Sequence, residues 1–347
     1  LFAAAPAPLV AQSTPPSPNA GNARPRGTLV VSNMNDNTAT ILDAATGTVH
    51  ATLPPGEGPH EVTISHDGKW ALVSNYGVRG KPGNTITVID VARAAVARTL
   101  TLNGYQRPHG MSFLPGDTIA AVTSEVAQAV LLVDVRDGRV VDTLGTRGRA
   151  SHMVALTADG RRAFTSNIAD NAISAIDTKR VDSTRVMSVA RTPEGIAVTP
   201  DGKSVWVGSN RDSVVLVMDP MRGIALDTLR GFGLPYRIGI SPDGRTAVIS
   251  DPVKSVVRVF SVSDRKERFN IRIPRDSLVA TAEVEGSPSP EGVAISRDGA
   301  WAFVTLQGRN RVITIDLKRG VIVAYAPTGT WSDGIGFSPV ERRASKS

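Results

Sequence analysis

Residues 195–229 read GIAVTPDGKSVWVGSNRDSVVLVMDPMRGIALDTL. Four short apolar runs lie within this stretch: Gly195–Thr199, Ser204–Gly208, Ser213–Met218 and Ile224–Leu229, each followed by turn residues. Val and Ile fit a pleated, buried surface, and unbroken apolar runs of this length suit strands covered on both faces. Asp201-Gly202, between the first two runs, supplies the positive-φ glycine that a tight hairpin requires. The stretch therefore predicts a meander of four antiparallel strands, a to d.

The unit recurs along the chain. Its second strand is read as ending at Ser32-Asn33, Ser74-Asn75, Ser124-Glu125, Ser166-Asn167, Ser209-Asn210, Ser250-Asp251 and Thr305-Leu306, at intervals of 42, 50, 42, 43, 41 and 55 residues. A period near 42 with β patterning throughout predicts an all-β fold, a β-propeller. Gly27–Leu53 supplies only strands b, c and d, whereas Gly334–Ser338 (GIGFS) has the pattern of strand a and then stops. The last strand is expected to complete the first blade, closing seven blades and removing the free sheet edge. The propeller is placed at residues 27–340, after a Pro-rich leader (1–26) and before a basic tail (341–347).

Positions that repeat are read as scaffold. Asp-Gly recurs at 67–68, 159–160, 243–244 and 298–299, and an Asp ends strand c at Asp43, Asp90, Asp134, Asp177, Asp219 and Asp316. Carboxylates this regular are expected to bond the turn that follows them rather than to do chemistry.

Composition narrows the function classes. The net charge is +7, but Arg24 and Arg26, with Arg342, Arg343 and Lys346 against Glu341, account for four of those charges outside the blades. The propeller is then only mildly basic, and no dedicated nucleic-acid surface is expected. There are no cysteines, which excludes disulfides, thiolate metal sites and a cysteine nucleophile. No stretch of 18 apolar residues occurs, so no membrane-spanning helix is expected. Leu1–Ala11 (LFAAAPAPLVA) reads like the tail of a signal peptide, which points to a periplasmic or secreted protein. A monomer is expected.

The recurring Pro-x-Gly-[Val/Ile]-Ala-[Val/Ile]-[Thr/Ser]-x-Asp-Gly, with its Ser-Asn and Ile-Asp strand ends, resembles the YVTN family of seven-bladed propellers from Gly27 to about Pro339. That resemblance implies the fold. It also implies a choice of functions, because such propellers include binding proteins and lactonase-like enzymes. The tryptophan docking motifs of quinoprotein alcohol dehydrogenases are missing, so no pyrroloquinoline quinone is expected.

Strand a lines the channel of a propeller, and its first residue lies at one mouth. Blade by blade this column holds Asp333, His60, His109, His152, Glu194, Tyr236 (with Arg237 beside it) and Glu291. Five of these residues follow a proline that fixes the incoming chain. Neutral imidazoles with a carboxylate make an ordinary shell for zinc, copper or iron, so His60, His109, His152 and Glu194 are candidate metal ligands. Two other readings stay open: a mouth that binds a small or anionic ligand through Tyr236, Arg237, Asp333, Arg107 and Arg191, and a channel that holds water alone. His50 and His66 fall outside the column and are read as surface residues.

Two insertions, Tyr76–Gly83 and Pro274–Pro290, are expected as long loops on the mouth face, with Arg107, Arg149 and Arg191 near the same rim. Catalytic motifs such as Gly-x-Ser-x-Gly and His-Glu-x-x-His are absent. If the mouth is catalytic, Glu194 or Glu291 is the expected proton acceptor beside a metal. The family resemblance makes lactone hydrolysis the concrete form of that reading. A third class, a protein-interaction platform, needs no convergent polar cluster.

Overall fold

The computed structural model describes residues 24–180, 182–274 and 286–342. The expected leader lies mostly outside these residues, as do most of the second insertion and most of the basic tail. Seven four-stranded antiparallel sheets form the propeller. Strand Ser332–Ser338 pairs with Thr28–Asn33 and completes the first blade. Among the described residues no helix is long and apolar enough to cross a membrane.

The middle strands b and c carry the core. Thr28–Asn33, Ala129–Asp134, Thr246–Asp251 and Trp301–Leu306 are buried along their whole lengths. Their side chains pack between neighbouring blades, with Trp206, Phe164 and Phe303 the largest fully buried groups. Burial on both faces explains why these strands are apolar throughout rather than alternating.

The repeated aspartates hold turns, as expected. In the a–b turn Asp201 Oδ1 accepts from the Thr199 hydroxyl and the Lys203 N–H, and Asp67, Asp159, Asp243 and Asp298 do the same in their blades. After strand c, Asp43, Asp219 and Asp316 each accept two N–H groups of the following turn.

The register corrects two details of the sequence reading. Pro108 pairs with Ser124 and Pro193 with Ser209, just as Pro59 pairs with Asn75 and Ser151 with Asn167. Thr123 and Gly208, not Ser124 and Ser209, are therefore the equivalents of Ser74 and Ser166, and the spacing becomes 42, 49, 43, 42, 42 and 55. Secondly, Tyr76–Gly83 is no loose loop. It extends strands Trp70–Val78 and Lys81–Asp90 as a hairpin, because Gly77 pairs with Pro82 and Val78 with Lys81. Gly77 has φ +86°, and a Cβ there would lie 2.1 Å from the Gly83 nitrogen.

The corrected column explains the repeated hydroxyl. Strand a pairs with strand b through a bulge, so that two residues of strand a oppose one residue of strand b: His60 and Glu61 face Ser74. The Ser74 hydroxyl accepts the Glu61 N–H at 3.0 Å, and Ser166, Ser250 and Thr305 accept from Met153, Arg237 and Gly292. Ser166, Ser250 and Thr305 also donate to the next blade, as do Thr123 and Ser32. Thr123 binds the His152 carbonyl (2.6 Å), Ser166 that of Glu194 (2.8 Å), Ser250 that of Glu291 (2.6 Å) and Thr305 that of Asp333 (2.7 Å), while Ser32 binds that of His60. One hydroxyl thus satisfies the orphaned amide of its own bulge and ties the mouth residue of its neighbour.

Ser166→Ala is expected to leave the Met153 N–H and the Glu194 carbonyl buried without this partner. The expected loss is about 2 kcal/mol of stability, read from the urea unfolding midpoint, against less than about 0.5 kcal/mol for Ser263→Ala on the exposed surface. Equal, small effects of both would contradict the bridging role.

Candidate functional site

A bulge re-aims side chains, and here it brings two consecutive residues of each strand a to the channel mouth. The first residues of the six a–b bulges, with Tyr236 at the equivalent place before Ile238–Ile240, form the variable column: Asp333, His60, His109, His152, Glu194, Tyr236 and Glu291. The second residue is glycine in four blades because the neighbouring backbone occupies the Cβ position. A Cβ on Gly195 would lie 2.4 Å from the Tyr236 oxygen, on Gly292 2.2 Å from that of Asp333, and on Gly334 2.3 Å from that of His60. The exceptions are Glu61, Met153 and Arg237.

Two of those exceptions meet across the ring, 176 residues apart in sequence. Arg237 Nη2 lies 2.5 Å from Glu61 Oε1, and Arg237 Nη1 lies 3.0 Å from Glu194 Oε1. All three side chains are buried. The chain of charges continues, because His152 Nε2 donates to Glu194 at 2.7 Å and His152 Nδ1 to Glu125 at 2.5 Å. Glu125 also takes the Tyr76 hydroxyl, which in turn accepts from Arg107 Nη1 at 2.7 Å. The Arg107 guanidinium sits over the Tyr76 ring, 4.7 Å from its centroid.

The three histidines do converge. His60 stacks on Tyr76 and meets His109 edge to face at 4.9 Å, and His109 stacks on His152 at 3.6 Å. Their electrostatics differ. Burial holds His60 down at about 4 and pushes His109 well below the usual histidine range, so both are neutral. Burial also opposes charge on His152, but Glu194 and Glu125 outweigh it and hold the imidazolium up at about 9. Glu194 is buried as well, yet His152 and Arg237 keep it ionised down to about 2.

The other side of the mouth is acidic. Glu291 accepts from the Ser289 hydroxyl at 2.8 Å, and burial with the nearby Asp333 pushes it up to about 8. Burial and Glu61 raise Asp333 to about 7. His60 Nδ1 lies 3.7 Å from Asp333 Oδ2, beyond hydrogen-bond reach. His60 Nδ1, His109 Nδ1 and Asp333 Oδ1 are all buried with no hydrogen-bond partner among the described residues.

Of the expected column, His60, His109, His152 and Glu194 therefore join one cluster with Arg237. Asp333 and Glu291 lie beside it, the Arg237 guanidinium sits over the Tyr236 ring, and Arg107 reaches the cluster through Tyr76. Arg191 and Arg149 do not: each is exposed and clamps its own rim loop by pairing with Asp212 and Asp170. His66 is exposed and bonds Asp117, whereas His50, on outer strand Val49–Leu53, is partly covered beside Asp43. The expected metal shell of His60, His109, His152 and Glu194 is not assembled. Among the described residues no three His, Asp or Glu groups are disposed to hold an ion. His109 and His152 lie face to face rather than aiming nitrogens at a common point, and both nitrogens of His152 are bonded to carboxylates.

Glu61, Glu125 and Tyr76 were not anticipated. Glu61 has a signal in the sequence, since it and Arg237 replace the glycine of Pro-x-Gly. Tyr76 and Glu125 occupy equivalent positions in adjacent blades, two residues after Ser74 and Thr123, which the one-residue misalignment at Thr123 hid.

Comparison with known proteins bears on the fold and the family. The chain is similar to hydrazine synthase of Kuenenia stuttgartiensis, with 20% identity and a TM-score of 0.68 over 85% of this chain and 93% of that one. It is similar also to a functionally unknown protein from Desulfotomaculum acetoxidans, with 14% identity and a TM-score of 0.72 over 91% of this chain and all of that one (100%). At such identities the likeness carries the fold alone. No curated protein matches the chain. The family described as YNCE-like beta-propeller matches residues 149–336, more than half of the sequence. With seven closed blades and that match, the chain belongs to the YNCE-like β-propeller family.

Proposed function

We propose that this propeller is a binding protein whose central mouth takes a small, positively charged ligand. The observation that carries the reading is the set of orphaned atoms: His60 Nδ1, His109 Nδ1 and Asp333 Oδ1, on three consecutive blades, buried and unpartnered among the described residues. Buried polar atoms are normally paired, and those that are not mark a place for water, an ion or a ligand. The unprotonated nitrogen of a neutral imidazole and a carboxylate oxygen accept hydrogen bonds or coordinate cations.

Charge favours a cation over the anion that remained open from the sequence. Glu61 and Glu194 pair with one guanidinium, Arg237, whose charge also acts on Glu291 and Asp333, and His152 is shared between Glu194 and Glu125. Burial, and then repulsion from neighbouring carboxylates, raises Glu291 to about 8 and Asp333 to about 7, more than the nearby positive charge offsets. A cation would add positive charge and release their protons. An anion would meet carboxyl groups instead. The hydrolytic reading has less support, since Glu194 is locked between His152 and Arg237. A pure interaction platform leaves the orphaned atoms unexplained.

Calorimetry with Mg²⁺, Mn²⁺, Zn²⁺ and alkylammonium salts, against citrate and phosphate, tests the proposal. At least one cation is expected to bind and to raise the thermal midpoint, and Asp333→Asn is expected to weaken it about thirtyfold or more. Binding of the anions and of none of the cations would overturn it.

The same groups set a pH profile for stability. His152 (about 9, against 6.5 unfolded), Glu291 (about 8, against 4.5) and Asp333 (about 7, against 3.8) hold protons in the folded state that the unfolded chain has already lost. Stability must therefore fall as pH rises from 6.5 to 9. Between 4.5 and 6.5 His60 and His109 act oppositely, because the unfolded chain binds their protons and the folded one does not. The two effects nearly cancel there. Thermal midpoints measured across pH should be flat from 4.5 to 6.5 and fall towards 9, with a shallower fall in Glu291→Gln. A midpoint that rises between pH 7 and 9 would contradict these assignments.

A further inference from the structure

Trp331 stands at the rim, two residues before Asp333. Of the four tryptophans, Trp206 and Trp301 are buried (0% and 8% exposed), Trp70 is half-buried, and Trp331 is 47% exposed. Its backbone has φ +60°, a left-handed conformation uncommon for a bulky residue. The conformation itself is imposed by the fold. The residue that precedes strand a is left-handed in six blades, as Gly58, Arg107, Ala150, Thr192, Ser289 and Trp331. The backbone is also pinned, with the Trp331 N–H bonded to Asn310 Oδ1 and its carbonyl to the Met34 N–H, both at 3.1 Å. Glycine fills this position without strain in one blade. Tryptophan here bears both the strain and an exposed apolar surface.

The repeat shows what a side chain at this position reaches. Ser289, two residues before Glu291, bonds the Glu291 carboxyl, and Arg107 extends over Tyr76. Two side chains of this column, those of Ser289 and Arg107, therefore reach the mouth cluster. Trp331, 47% exposed, holds the equivalent position two residues before Asp333. Tryptophan is the best of the aromatic residues at attracting a cation over its ring.

We infer that Trp331 and Asp333 form a subsite for an organic ammonium ion, a primary or methylated amine whose alkyl part lies on the indole while its charge faces the carboxyl. The inference rests on the cationic-ligand reading above and narrows it from any cation to an amine with an apolar body. No bond forms or breaks in the step; the amine binds as the cation it already is at neutral pH.

The test titrates the full chain with n-propylammonium, putrescine and tetramethylammonium, with Mg²⁺ as the purely inorganic control, following tryptophan emission and heat. The alkylammonium ions are expected to perturb the exposed Trp331 emission, and Mg²⁺ is not. Trp331→Ala should weaken the alkylammonium ions about three- to thirtyfold while leaving any Mg²⁺ affinity unchanged, and Trp331→Phe should restore part of the loss. Trp331→Gly should keep or raise the thermal midpoint, since it removes strain. Unchanged alkylammonium affinity in Trp331→Ala, with binding still lost in Asp333→Asn, overturns the subsite and spares the broader reading. Absence of binding by every cation overturns both. A midpoint lowered in both Trp331→Ala and Trp331→Gly makes the indole a packing element and overturns the subsite as well.

Discussion

A buried hydroxyl in six of the seven blades holds this ring in shape. In Ser166, Ser250 and Thr305 the same oxygen accepts the amide stranded by the strand a bulge and donates to the mouth residue of the next blade. The bulge turns two side chains towards the channel, and the hydroxyl makes that bulge affordable where no water reaches its amide. Blade 5 is the exception that fits. Gly208 holds the position there because a Cβ would come within 2.4 Å of the Pro235 carbonyl oxygen. The next blade presents Tyr236 and Arg237 from a shorter strand a, Ile238–Ile240.

The bulge has a functional consequence because it doubles the number of residue columns that reach the mouth. The first column is polar in every blade without being uniform, whereas the second is constrained to glycine wherever a neighbouring backbone crowds it. Glu61 and Arg237 use the places where it is not. Their ion pair spans the ring and is buried, an arrangement that contributes specificity more than net stability, since desolvating both charges offsets much of their attraction. Losing either partner would strand the other charge in the interior. The pair also fixes the polarity of the site. Arg237 is committed to Glu61 and Glu194, and His152 to Glu194 and Glu125, so little positive charge is left for Asp333 and Glu291.

Much of this was legible in the sequence, for physical reasons. Strands buried on both faces leave unbroken apolar runs, Asp-Gly turns need their glycine, and the split first blade shows in the truncated ends, so the seven blades and the ring closure follow. The first mouth column follows as well, because prolines mark where strand a begins. The second column was harder to see. Glu61 looks like an ordinary polar residue until the glycines that surround it in register are explained by the approach of the next blade. The repeated end of strand b was aligned one residue late at Ser124 and Ser209, since a strand end alone does not reveal which residue faces a bulge. Side-chain partners escaped entirely: nothing local distinguishes Arg107, which reaches Tyr76, from Arg149 and Arg191, which clamp Asp170 and Asp212. The chemistry of the histidines also depended on neighbours from distant blades, which leave His152 charged and His60 and His109 neutral.

The central claim is that the mouth is a site short of positive charge, waiting for a cation. Carboxyl titration by nuclear magnetic resonance of protein carrying ¹³C in its Asp and Glu side chains reads this directly. One Asp resonance, lost in Asp333→Asn, should titrate near pH 7, and one Glu resonance, lost in Glu291→Gln, near pH 8. Both should move to lower pH when a bound cation saturates the site. Side-chain carboxyls that all titrate below about pH 5, near the ordinary carboxylate range, would contradict the account.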